Sequence, residues 1–93
     1  MTIQQCKYVL MIAQCGSFNK AAKRMFVAQS SLSVGVKTLE QELNIKIFDR
    51  SGNGAFLTED GKEFIQCIQP LCQQFDLAVE RYIQRPSEME KEE

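Results

Sequence analysis

The sequence predicts a mainly α fold of three short helices, a two-stranded hairpin and one long closing helix. Three observations predict it. Apolar residues recur at helical spacing in three successive runs before residue 44. A short alternating stretch and its return flank the turn cluster Ser51-Gly52-Asn53-Gly54. A heptad seam then runs from Phe64 to Tyr82. Composition permits such a fold. Ninety-three residues make one small domain, and 44% apolar with 25% charged residues is ordinary for a soluble globular chain. Two prolines and five glycines exclude collagen-like and low-complexity classes.

The first helix starts after Thr2, a suitable N-cap, and carries Ile3, Cys6, Val9, Ile12 and Ala13 on one face before Gly16 stops it. Ser17 caps a second, short helix with Phe18, Ala21, Ala22 and Met25 inward. Phe26-Val27-Ala28 connects it to the next helix and contains no turn-forming residue. The third helix spans Gln29 to Leu43, with Leu32, Val36, Leu39 and Leu43 as its core stripe. Its other side shows Gln29, Ser30, Ser33, Val34, Lys37 and Thr38, and the N-terminal two thirds of that face carries no acid. Gly35 inside it costs about 1 kcal/mol against alanine, which a close packing partner would explain.

Ile45 and Ile47 alternate with polar residues and continue into Phe48-Asp49-Arg50 as one strand, with Ala55-Phe56-Leu57 returning. Thr58 caps the long helix, and Glu59 and Asp60 suit its first turn. Phe64, Ile68, Leu71, Phe75, Ala78 and Tyr82 form its seam. Residues 58–85 would reach about 42 Å as a helix, more than so small a core covers, so this stripe is expected to pair two copies of the chain. Pro70 is expected to kink or break the helix near Gln66–Gln69. Residues 86–93 read as a frayed acidic tail.

Chemistry-bearing residues are few. Histidine is absent, which removes His-based catalysis and His metal sites. The four cysteines contain no CxxC pair, so neither a metal nor a cofactor is expected. No apolar run is long enough for a membrane span and no secretory signal is visible, so a cytoplasmic chain is expected.

Net charge is −1, but it is unevenly placed: residues 1–39 carry +5 and no acid, and residues 40–93 carry −6. A basic portion beside an acidic one points to a localised anion-binding face. Two helices joined tightly, the second polar on its outer side, form a helix-turn-helix pattern that suits the major groove of DNA. Gln29 has the amide to pair with adenine, and Ser30 and Ser33 suit base edges or phosphate. Lys20, Lys23, Arg24 and Lys37 suit flanking phosphates. The hairpin would carry Arg50 and the tip from Ser51 to Gly54 to the backbone or minor groove, as a wing.

Phe18-x-x-Ala21-Ala22, Val27 to Ser33, Val36-x-x-Leu39-Glu40-x-x-Leu43, Ile47-Phe48-x-Arg50 and Leu57-Thr58-x-x-Gly61 occur in order and without a gap. Together they resemble the N-terminal domain of LysR-type transcriptional regulators, from about Ile3 to Phe64. The resemblance implies a winged helix-turn-helix over residues 1–60, with the helix-turn-helix at about 18–37 and the wing at about 45–57. It implies a linker helix that pairs two protomers over 58–85, double-stranded DNA with an inverted-repeat operator as partner, and a missing effector domain to which any small-molecule effector would belong. Gln29, Ser30 and Ser33 fall on recognition positions, and Arg50 on the wing arginine. Val34, Lys37, Lys20 and Ser51 complete the expected DNA-facing set. Three residues depart from the pattern. Ala28 stands where a serine cap is usual, Val34 replaces a basic or polar residue and suits a thymine methyl, and Gly35 replaces a helix former.

Two rivals stay open on the residues alone. One is a protein-interaction module on the same scaffold. The other is a thiol switch at Cys67 and Cys72, which lie about 140° apart on a helix and would need unwinding at Pro70. An enzyme has the least support, because no nucleophile–base pair and no phosphate-cradling loop is present.

Overall fold

Hydroxyl side chains start three of the four α-helices among the described residues. In the computed structural model, which describes residues 1–83, α1 (Ile3–Cys15) opens with a capping box. The Gln5 N–H donates to Thr2 Oγ1 and the Thr2 N–H donates to Gln5 Oε1, both at 3.0 Å. Gly16 ends α1 with left-handed backbone, φ 68°. Ser17 Oγ then accepts from the Lys20 N–H at 3.2 Å to start α2 (Phe18–Met25). The third helix, α3 (Gln29–Leu43), has Ala28 at its N-cap and no side-chain bond there, as its sequence implies.

The turn between α2 and α3 is the short connection expected. No residue there is a usual turn former, yet Phe26 takes left-handed backbone (φ 57°, ψ 42°) and its N–H donates to the Ala22 and Lys23 carbonyls. That conformation costs a non-glycine residue about 1–2 kcal/mol. The reversal is forced by the packing of α3 across α2, where Ala21, Ala22 and Leu32 are all buried.

α1 lies at the centre and touches α2, α3 and the long helix α4 (Glu59–Ala78). Val9, Ile12, Leu32, Leu39 and Ile47 are fully buried between them. Cys6 is buried as a small apolar residue, and burial pushes its thiol above the ordinary value. Gly35 has the partner its position called for: a Cβ there would lie 3.1 Å from the Tyr8 ring of α1.

The hairpin is shorter than expected. β1 (Phe48–Asp49) pairs antiparallel with β2 (Phe56–Leu57), in the register Phe48 to Leu57 and Asp49 to Phe56. Ile45 and Ile47 are not strand residues. Asn44 ends α3 in left-handed backbone and the Ile45 N–H donates to the Glu40 carbonyl, so residues 45–47 are a cap and plug that buries Ile47.

Thr58 uses its hydroxyl twice. It accepts from the Gly61 N–H at 3.0 Å and donates to the Lys46 carbonyl. Gly61 sits against the Ile47 carbonyl, where a Cβ would lie 2.2 Å from the oxygen. α4 is continuous helix through Pro70, so the break expected at Gln66–Gln69 is absent. Ile68 and Cys72, on either side of the proline, are both buried in the core and hold both turns against it. The irregular part comes later, as a π-helical turn at Val79–Ile83. Residues 84 and 85 of the expected linker helix and the expected acidic tail lie outside the described residues.

Gly61→Ala forces the α4 start away from the Ile47 carbonyl. Urea unfolding is expected to show a loss of about 2 kcal/mol. Gly35→Ala meets only a ring edge that can shift and regains helix propensity, so its loss is expected to stay below about 1 kcal/mol.

Candidate nucleic-acid interface

The outward side of α3 is built by helical spacing. Ser30, Ser33, Val34 and Lys37 fall within about 100° of one another around the axis, opposite Leu32, Val36 and Leu39. Gln29 and Ser30 are exposed at the start of the helix, beside the uncapped N–H groups that follow Ala28. Val34 is 64% exposed, an apolar side chain on an otherwise polar surface.

Ser33, Val34 and Lys37 share one cleft with Lys46 and Arg50 of the hairpin, floored by Phe18 and Phe48. Arg50 is placed by an aromatic contact: its guanidinium carbon lies 3.8 Å from the centre of the Phe18 ring. Phe18 in turn meets Phe48 edge-on, with centroids 5.6 Å apart. The Arg50 charge is therefore held over the end of α2 without a carboxylate partner among the described residues.

Glu40 ties the hairpin to α3. One of its carboxylate oxygens accepts from the Ile47 N–H at 2.7 Å and the Phe48 N–H at 3.3 Å. Its charge is thus turned to the backbone of β1, although Glu40 also borders the cleft. On the far side, the Ala55 N–H donates to the Gly16 carbonyl at 3.0 Å.

Ser51 is placed differently from expectation. Its N–H and its hydroxyl both donate to Asp49 Oδ1, at 2.9 and 2.7 Å, so its proton is already committed. The Ser51 hydroxyl and N–H, with Lys46 nearby, hold the Asp49 carboxyl below its ordinary value of 3.8. Lys20 stands apart from the cleft, grouped with Lys23, Arg24, Gln14 and Cys15 at the junction of α1 and α2. Lys20, Lys23, Arg24 and Lys37 have no carboxylate within 4 Å among the described residues. Lys7, counted with them by sequence, pairs instead with Asp76 at 2.6 Å and lies over Phe75.

The seam of α4 divides. Ile68 is buried and Phe64 half-buried against the chain's own core, so neither lies on the open stripe. Leu71, Phe75, Ala78 and Tyr82 remain exposed, and the first three lie roughly 70° around the helix from the buried face of Gly61, Ile68 and Cys72. Cys67 is exposed and Cys72 buried on this continuous helix, which removes the unwinding a thiol switch there required. No group of three or more His, Cys, Asp or Glu side chains among the described residues is arranged to hold a metal.

Sequence reasoning missed Lys46, Glu40 and Phe18 as site-building residues. Lys46 left a signal, lying between two inward isoleucines. Glu40 and Phe18 act across elements, which spacing does not reveal.

A family description, "Bacterial regulatory helix-turn-helix protein, lysR family", matches residues 3–62. The chain belongs to this lysR family. Among curated relatives, it is 39% identical over 82 residues to a probable RuBisCO transcriptional regulator of Cyanophora paradoxa, covering 85% of this chain and 25% of the relative. It is 38% identical over 71 residues to the HTH-type transcriptional regulator TfdT of Cupriavidus pinatubonensis, covering 76% and 31%. The chain thus spans about a quarter to a third of these relatives' length. Its fold is similar to a full-length OxyR variant from Pseudomonas aeruginosa (TM-score 0.81, 39% identity, 86% of this chain and 27% of that one). It is similar also to the CbnR DBD–DNA complex (TM-score 0.80, 28% identity, 87% and 93%) and the BenM DBD/catB site 1 DNA complex (TM-score 0.80, 30% identity, 86% and 86%). In this lysR-family chain the mainly α winged helix-turn-helix is present as expected.

Two outcomes test the site's construction. Glu40→Ala leaves two half-buried N–H groups without an acceptor and is expected to cost about 1–3 kcal/mol. Amide exchange at Ile47 and Phe48 is expected to quicken far more than at Val9. The depressed Asp49 pKa means the tip's extra stability is full above 3.8 and disappears as pH falls through the lower folded value. In Ser51→Ala, NMR titration is expected to show Asp49 moving back up toward 3.8.

Proposed function

We propose that this chain is a sequence-reading, double-stranded-DNA-binding part of a transcriptional regulator, acting as a homodimer in the cytoplasm and catalysing no reaction. The single observation that carries the reading is the outer side of α3, acid-free over its N-terminal two thirds, with Lys37 and Arg50 held beside it and free of ion-paired carboxylates among the described residues. The lysR-family relatives are described as transcriptional regulators, and two similar structures are described as DNA complexes.

In this reading α3 enters the major groove. Gln29, Ser30 and Ser33 meet base edges, and Val34 packs on a thymine methyl. Lys37, with Lys20, Lys23 and Arg24 further out, holds phosphates. Arg50 reaches the backbone or minor groove from its seat on Phe18. Ser51 contributes through its backbone turn, since its hydroxyl proton serves Asp49. Two copies pair along Leu71, Phe75, Ala78 and Tyr82, and the operator is an inverted repeat. Phe64 and Ile68 support this seam from within each protomer.

Duplex binding measured across a salt series tests the reading. Gln in place of Lys20, Lys23 or Lys37 is expected to weaken binding and lower the salt slope by about one per residue. Gln29→Ala is expected to cost about 1–3 kcal/mol and relax preference at one base pair. A salt slope indifferent to all three lysines would point to a protein-interaction surface instead.

A further inference from the structure

Phe26 is the most exposed large apolar side chain among the described residues, at 93%. It also occupies left-handed backbone, which glycine or asparagine adopts at less cost. The fold gains nothing from the ring: it lies outside the core, and the turn needs only the Phe26 N–H bonds to Ala22 and Lys23. A bulky aromatic kept at a strained and solvated position calls for a partner outside the chain.

The surroundings select the partner. Phe26 lies two residues before Ala28, the N-cap of α3, and Gln29 and Ser30 are exposed just beyond it. Lys23 and Arg24, in the last turn of α2, precede it. No acid occurs anywhere from Met1 to Leu39. An apolar protein surface would be met by large apolar neighbours, whereas the exposed long side chains on either side, Lys23, Arg24 and Gln29, are cationic or amide. Nucleic acid fits both features, because its groove wall places deoxyribose carbons and thymine methyls between phosphates.

We infer that Phe26 is a DNA-contact residue, packing its ring on the sugar wall at the entrance of α3 while the nearby cations hold the adjoining phosphates. This rests on the DNA-binding reading above and extends it to a residue that carries neither charge nor hydrogen-bonding group. The contact is neutral, so it adds affinity without adding salt dependence.

The test is Phe26→Asn, which removes the ring and suits the left-handed turn. The probe is a labelled mixed-sequence duplex of about 30 base pairs, roughly three helical turns. Binding is expected to weaken about five- to tenfold with the salt slope unchanged. Thermal unfolding of the same variant is expected to rise by roughly 4 °C as strain is relieved. Phe26→Leu, still apolar, is expected to stay within about threefold of the parent chain. An asparagine variant that binds as tightly as the parent overturns the inference and leaves DNA binding standing. A variant that loses affinity and melting temperature together overturns it too, because the ring is then structural. A parent chain that fails to bind the duplex overturns the underlying reading, and this inference with it.

Discussion

A single carboxylate oxygen of Glu40 accepts two backbone N–H groups, and the shape of the interface depends on that clamp. The hairpin it anchors has only two residues per strand, far too few to be stable alone. Three further contacts hold the same small unit: Gly16 O with the Ala55 N–H, Arg50 over Phe18, and Gly61 against the Ile47 carbonyl. Each joins the hairpin to a different helix. The wing is therefore a rigid extension of α3 and not a loose loop, and Arg50 keeps a defined place relative to Ser33 and Lys37.

The same contacts explain how a chain with net charge −1 presents a cationic face. Acids close to that face are occupied internally. Glu40 is bound to the Ile47 and Phe48 backbone, and Asp49 takes both Ser51 donors. The cations Lys20, Lys23, Arg24 and Lys37 have no such partners among the described residues. Attraction for a polyanion follows from this arrangement, not from total charge.

What local rules govern was legible in the sequence. Thr2, Ser17, Gly16 and Thr58 start or stop helices where their chemistry places them, and the core stripe of α3 follows its spacing. The misreadings share a cause: tertiary packing overrode a local preference. Ile68 and Cys72 carry α4 through Pro70 without a break, and Ile47 leaves the strand to fill the core. The seam of α4 was read as one stripe because periodicity does not say which neighbour a face meets. The chain's own core takes Ile68, leaving Leu71 and Phe75 outward. Glu40 and Phe18 were legible as residues but not as partners, since their contacts cross from helix to hairpin.

The central claim is that α3 and the wing read DNA as one unit, in a pair of chains set apart by α4. Selection of the chain against a random duplex pool at low salt, followed by sequencing of the retained duplexes, tests it most directly. Enrichment of an inverted repeat whose half-sites lie at a fixed spacing on one face of the duplex is the expected result. Retention without any sequence preference, or no retention at any salt, would contradict it.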